Sequence, residues 1–150
     1  MKIFFPGSFN PFTKGHADIL HRLLSFADYV IIGIGCNPDK PSSGEQARRN
    51  KALILEYIEK SGLKDRVETI IYSGLTGEVA LRYGANCMAR GVRSTSDFDY
   101  EYSLASANRE AFGIETLLIP ADPTLSFVSS SMIRDIQNNG RPDIAAHFLP

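Results

Sequence analysis

An α/β fold with a parallel sheet is the architecture this 150-residue chain predicts, because apolar runs of strand length alternate with longer segments of helical periodicity. Most of the short runs are continuous and rich in Ile, Val or Leu, as befits parallel strands covered on both faces. Breakers fall between the segments, at Asn37-Pro38, Pro41-Ser42-Ser43-Gly44, Gly62, Gly84, Gly113 and Asn139-Gly140. The expectation is one Rossmann-like, doubly wound domain over residues 1–150, with a five-stranded parallel sheet in the order 3-2-1-4-5.

In chain order, Lys2–Phe5 is the first expected strand, and His16–Ser25 the first helix, with Ile19, Leu20, Leu23 and Leu24 at helical spacing. Tyr29–Ile34 follows as a strand and Glu45–Lys60 as a helix in which Ile54, Tyr57 and Ile58 share a face. Val67–Tyr72 and Gly77–Tyr83 make the third pair. Cys87–Ala89 is a short strand before the helix Asp97–Phe112, where Asp97 suits an N-cap and Phe98, Tyr102, Ala105 and Phe112 share a face. Glu115–Ile119 and Ser130–Asn138 close the series.

Composition narrows the function. A content of 43% hydrophobic and 22% charged residues is ordinary for a globular chain, and a chain of this length buries roughly 68–70% of its unfolded surface without needing disulfides or metals. Sixteen basic and seventeen acidic residues leave a formal charge of −1, so no global field draws nucleic acid or an anionic membrane. Cys36 and Cys87 are too few for a zinc cage and read as reduced thiols. The N-terminal apolar run is too short for a signal peptide, and no 18-residue apolar stretch exists, so a soluble cytoplasmic protein is expected.

In a sheet of this order the ligand site lies beyond the carboxyl ends of strands one and four, where the strand order reverses. Strand one leads into Pro6-Gly7-Ser8-Phe9-Asn10-Pro11-Phe12-Thr13-Lys14-Gly15-His16. Glycine lets backbone pass close to a phosphate, and the helix N-terminus behind it offers unpaired N–H groups. The helix dipole disfavours a cation at His16, which suits it to donate to a phosphate oxygen as a neutral imidazole. The same residues also read as a plain helix start, with Thr13 as its cap. Strand four leads into Arg90-Gly91-Val92-Arg93. An arginine leaving a buried strand faces either a ligand or an ion pair, so Arg90 and Arg93 either share an anion or pair with Asp97 and Asp99. A third segment, Leu125-Ser126-Phe127-Val128-Ser129-Ser130-Ser131, puts hydroxyls before a helix, either as a second anion cradle or as a serine cap. Lys40 supplies a movable ammonium or a solvated loop charge. Gly33-Ile34-Gly35 lacks the third glycine and the following helix of a dinucleotide fingerprint. In the loop Tyr72–Gly77, two glycines allow close backbone approach and Leu75 offers an apolar contact.

Together these segments resemble the bacterial phosphopantetheine adenylyltransferases of the nucleotidyltransferase superfamily, over almost the whole chain. The Thr/His-x-Gly-His element is present as Thr13-Lys14-Gly15-His16, followed in the family's order by Arg90-Gly91-Val92-Arg93, Asp97-Phe98-Asp99-Tyr100-Glu101, Asn108-Arg109 and Ser126-Phe127-Val128-Ser129-Ser130-Ser131. The resemblance implies adenylyl transfer from ATP, with Mg2+ carried by ATP, to 4′-phosphopantetheine, giving dephospho-coenzyme A and pyrophosphate. It further implies coenzyme A as feedback inhibitor, a homohexamer, and no nucleic-acid or membrane partner. By position, it assigns His16, Lys40 and Arg90 to catalysis and Ser8, Lys40, Thr76 and Arg90 to the acceptor. Ser8, Phe9, His16, Gly91, Val92, Arg93, Glu101 and Leu125 to Ser131 fall to ATP, that last run comprising Leu125, Ser126, Phe127, Val128, Ser129, Ser130 and Ser131.

Against the family's pattern, Ser8 stands for the commoner threonine, Asn10 for aspartate, and Gly44-Glu45-Gln46-Ala47-Arg48-Arg49 lacks the usual start of the second helix. The sequence ends at Phe148-Leu149-Pro150, where relatives usually continue into a further helix, so different oligomer contacts are expected. Two other functions use the same elements: a related nucleotidyltransferase such as a nicotinamide-mononucleotide adenylyltransferase, and a non-catalytic nucleotide-binding module.

Overall fold

A computed structural model describes residues 1–150. Five parallel strands, β1 (Lys2–Gly7), β2 (Tyr29–Gly35), β3 (Val67–Tyr72), β4 (Cys87–Val92) and β5 (Glu115–Pro120), form one sheet in the order β3-β2-β1-β4-β5. The helices are α1 (Lys14–Leu24), α2 (Ser43–Lys60), α3 (Thr76–Arg82), α4 (Thr95–Phe112), α5 (Ser130–Asn138) and α6 (Pro142–Ala145), with a closing 3-10 turn at Ala146–Phe148.

Successive strand residues point to opposite faces, and the two faces carry separate cores. Ile3, Phe5, Val30, Ile32 and Ile34 pack beneath Leu20 and Leu23 of α1 and Ile54 and Ile58 of α2. Phe4, Ile31, Ile70 and Met88 on the other face meet Val79 and Ala80 of α3. Gly33 now has a structural explanation: a Cβ there would lie 2.3 Å from the Phe4 ring, so the β2 glycine is a slot for that ring.

Four strands run past their apolar cores, β1 to Gly7, β2 to Gly35, β4 to Val92 and β5 to Pro120. Ladder hydrogen bonds need no apolar side chain, so the sheet carries Arg90 and Gly91 on a strand end held by pairing to Leu118 and Ile119. Helix α4 departs from expectation in two ways. Its N-cap is Ser94, whose Oγ accepts the Asp97 N–H at 3.2 Å, so Asp97 sits one turn inside the helix and is not the cap. Phe98 and Tyr102 do not face the core, being 45% and 59% exposed, while the inward row is Asp97, Glu101, Ala105, Asn108 and Phe112. The inward face is polar because much of it borders two cavities at the carboxyl end of the sheet.

The C-terminal α6 and 3-10 turn were not expected. Pro142 starts α6, where proline's missing N–H costs nothing, and Ala145 joins Val128 and Ile133 in a third small core. No helix is long and apolar enough to cross a membrane.

Candidate functional site

Two cavities open at the carboxyl ends of β1 and β4 and a third at those of β1 and β2, and Ser8 lines all of them. The first, about 300 Å³, is bounded by the β1–α1 turn, the end of β4, the inner row of α4 and the start of α5. It brings together Phe9, His16, Arg90, Gly91, Arg93, Glu101, Leu125, Val128, Ser129, Ser130 and Ser131, whereas Val92, Ser126 and Phe127 do not line it. Thr76 lines the second cavity, of about 150 Å³, and Lys40 the third, of about 390 Å³.

His16 belongs to the plain helix start that the sequence allowed for. Thr13 caps α1, and a reciprocal capping box forms: Thr13 Oγ1 accepts the His16 N–H at 3.3 Å, while the Thr13 N–H donates to His16 Nδ1 at 3.0 Å. Because Nδ1 is an acceptor, the neutral ring carries its proton on Nε2, which has no partner within the chain. Burial, then the nearby charges of Arg93 and Arg90, lower the His16 pKa from 6.5 to about 4. The ring is wedged against Phe9 (4.9 Å, edge-on) and stacked on Phe12 (5.6 Å). Phe9 holds a left-handed φ of 47° and fills the space over Gly7, where a Cβ would come within 3.1 Å of its ring.

A measurable consequence is that the free protein keeps His16 neutral far below the ordinary imidazole range. Titration of its ring resonances should show no midpoint near pH 6.5 and a midpoint at about pH 4. Between those values the unfolded chain binds a proton here that the folded chain refuses, so stability falls as pH drops through that window. A midpoint near 6.5 would refute the assigned environment.

Around this donor the charges are paired in layers. Arg90 donates from Nε and Nη2 to the two oxygens of Glu101 at 2.8 and 2.7 Å, and from Nη1 to the Pro6 carbonyl at 2.7 Å. Burial opposes the Arg90 charge, but the hydrogen bonds and charge of Glu101 outweigh it and raise its pKa, so it stays cationic. Arg93 pairs with Asp97 at 3.3 Å and donates to the Val128 carbonyl at 3.1 Å. Thus both arginines have the ion pairs allowed for in the sequence, though Arg90 takes Glu101 and not Asp97 or Asp99.

The third segment closes the cavity. Ser129 caps α5 by accepting the Met132 N–H, and Ser130 donates to the Pro11 carbonyl at 2.9 Å. Arg134, which the sequence reading missed, also lines the first cavity and donates to the Asn10 carbonyl at 2.6 Å. Its signal was its place four residues after Ser130, one helical turn on and on the same face. With α1 and α5 presenting the N–H groups of their first turns, the first cavity gathers the neutral and cationic donors that an anion would require.

The second cavity shares Ser8, Arg90 and Glu101 with the first, and continues between the β3–α3 connection and α4. Tyr72 OH and Thr76 Oγ1 lie 3.1 Å apart there, with Leu104, Ala105 and Asn108 opposite. Leu75 is 61% exposed and does not line it; Leu104 supplies the apolar wall instead. The third cavity is polar, with Lys40 at the β2–α2 connection and Asn50 reaching the Ser8 carbonyl at 3.4 Å. No three His, Cys, Asp or Glu side chains cluster as round a metal ion, and Asp97 and Glu101 are committed to arginines.

Residues 4–136 match the cytidylyltransferase-like family. A phosphopantetheine adenylyltransferase of Porphyromonas gingivalis is 42% identical over 146 residues, covering 97% of this chain and 92% of that protein. One from Cytophaga hutchinsonii is 43% identical over 141 residues, covering 88% and 86%. Among solved structures, a Plasmodium falciparum nicotinic acid mononucleotide adenylyltransferase complexed with NaAD superposes with a TM-score of 0.65 at 15% identity, covering 99% of this chain and 89% of that one, which shows the shared fold.

Proposed function

The chain belongs to the cytidylyltransferase-like family, and from that premise we propose that it is the phosphopantetheine adenylyltransferase of coenzyme A synthesis, transferring the adenylyl group of ATP to 4′-phosphopantetheine. The observation that carries this reading is the junction of the first two cavities, where Ser8 and Arg90 border both and His16 lies on the first. ATP takes the first cavity, with its triphosphate toward His16, Arg93, Ser129, Ser130, Ser131 and Arg134, and with Phe9, Gly91, Leu125 and Val128 around the nucleotide. The acceptor's arm takes the second cavity past Thr76, and its phosphate comes to the junction beside Ser8 and Arg90, with Lys40 at the third cavity's mouth.

An oxygen of the acceptor phosphate attacks the α-phosphorus of ATP in line; a P–O bond forms, the α–β bridging P–O bond breaks, and pyrophosphate leaves with its electron pair. The nucleophile is already ionised, so no general base is needed. Catalysis reduces to alignment and stabilisation of charge on the transferring group. His16 donates through Nε2–H as a neutral group held by Thr13, and Arg90 donates from the junction. Magnesium enters with ATP as part of the substrate and offsets triphosphate charge.

The reading places the protein in the cytoplasm as a homohexamer inhibited by coenzyme A. The aromatic outer face of α4, where exposed Phe98 and Tyr102 stack at 6.0 Å, supports self-association. The test is pyrophosphate release on mixing ATP, magnesium and 4′-phosphopantetheine, with dephospho-coenzyme A as co-product. ATP binding without turnover of this acceptor would overturn the reading and leave a nucleotide-binding module.

A further inference from the structure

A carboxylate beside a phosphate site demands an explanation. Glu101 is 6% exposed, borders both the first and second cavities, and sits where substrates of high negative charge are to bind. Unpaired, it would repel them and would itself be costly to bury. Both of its oxygens accept from Arg90, through Nε and Nη2, which ties the carboxylate to that arginine.

The arrangement leaves a defined remainder. A guanidinium has five N–H groups in one plane. Two go to Glu101 and one to the Pro6 carbonyl, which leaves one on each terminal nitrogen. We propose that Glu101 is a positioning residue: its bidentate grip, together with the Pro6 carbonyl, fixes the plane of Arg90 so that the two remaining N–H groups meet the reacting phosphates at the junction of the two cavities. This rests on the adenylyl-transfer reading and assigns Glu101 a role exerted through Arg90, in addition to its place on the wall of the nucleotide cavity.

The grip has a counterpart in the helix. Ser94 and the Arg93–Asp97 pair anchor the first turn of α4, and Glu101 follows Asp97 by four residues on the same inward face. Helix α4 therefore delivers the carboxylate to the end of β4 from a fixed start.

The role separates from its rivals by the pattern of losses. In Glu101→Gln the side chain keeps its shape but loses its charge and one acceptor, so Arg90 keeps its charge and loses its fixed plane. Expected are a kcat lower by about 10- to 100-fold, because small misalignment at a reacting centre is expensive, and an acceptor KM unchanged or lowered, because a nearby negative charge is gone. Binding of inorganic pyrophosphate, read by calorimetry, is equal or tighter. Glu101→Asp keeps the charge but is one methylene too short for the same grip, and also loses kcat, without the gain in pyrophosphate binding.

The deciding measurement is the double-mutant cycle with Arg90→Ala: once Arg90 is absent, Glu101→Gln should change kcat less than about 2-fold. Independent losses in the cycle, or a raised KM for ATP with kcat intact, would overturn the proposal in favour of direct nucleotide contact. Full kcat once corrected for the folded fraction would overturn it in favour of a purely structural pair. A wild-type protein that releases no pyrophosphate with 4′-phosphopantetheine marks failure of the functional reading instead; the pyrophosphate-binding comparison still tests the pair, and weaker binding in Glu101→Gln overturns it.

Discussion

His16→Ala should lower kcat by about 10²- to 10³-fold and leave ATP affinity almost unchanged. One preorganised donor aimed at charge that develops only in the transition state is worth about 3–4 kcal/mol, and little of that is felt by bound ground-state ATP. His16 meets the requirement in each particular. Its Nδ1 is occupied by the Thr13 N–H, its Nε2–H has no internal partner, and its ring is clamped between Phe9 and Phe12. Being neutral at working pH, it contributes no full charge to ground-state phosphate binding. Truncation also strips the capping box from α1, at a cost of about 0.5–2 kcal/mol of stability, so rates are compared per folded protein. Stopped-flow or steady-state turnover, with ATP binding by calorimetry, decides the matter. Collapse of ATP binding with intact kcat at saturation would make His16 a nucleotide-binding residue and nothing more.

What the sequence disclosed and what it hid follow one physical division. The five parallel strands and all five principal helices were legible because buried parallel strands leave continuous apolar runs, and α1 and α2 show one apolar face each at helical spacing, whereas the strand order was taken from the fold class. Helix α4 misled for the same reason: its apolar residues Phe98 and Tyr102 are on the outside, and its inner row is spent on Asp97, Glu101 and Asn108 at the cavities. A helix that serves a site need not obey the pattern of one that serves a core.

The site shows the same split. Gly7, Ser8, His16 and Arg90 were legible because strand ends at the switch point of an open sheet are where ligands bind, and Thr13 as cap was legible from local chemistry alone. Arg134 and the choice of Glu101 as the partner of Arg90 were not. Arg134 reaches Asn10 across 124 positions, and no local rule selects Glu101 over the nearer Asp97. Such pairings are set by how α4 and α5 dock on the sheet.

The acceptor should be 4′-phosphopantetheine and not nicotinamide mononucleotide, by more than about 10³-fold in kcat/KM. Both present a phosphate to Ser8 and Arg90, so the rest of the molecule decides. The second cavity, about 150 Å³, is a narrow channel with Leu104 and Ala105 for methylenes and Thr76 and Asn108 for amides. Those features suit a flexible neutral arm with two amide groups. A cationic nicotinamide ring on a ribose needs width and a flat partner. The chain has no tryptophan, and the one tyrosine lining the channel, Tyr72, is engaged edge-on with Phe4 and through its hydroxyl with Thr76. Each remote contact that the wrong acceptor forfeits costs roughly 1–3 kcal/mol, and two or three suffice for the stated ratio. Moreover, the loss should fall on kcat as well as KM, since the arm's binding energy is what holds the phosphate in line for attack. Competing the two acceptors against each other with ATP and magnesium, and reading each adenylylated product, measures the ratio directly. Comparable rates, or a preference for the mononucleotide, would reassign the substrate while leaving adenylyl transfer at the Ser8–Arg90 junction in place.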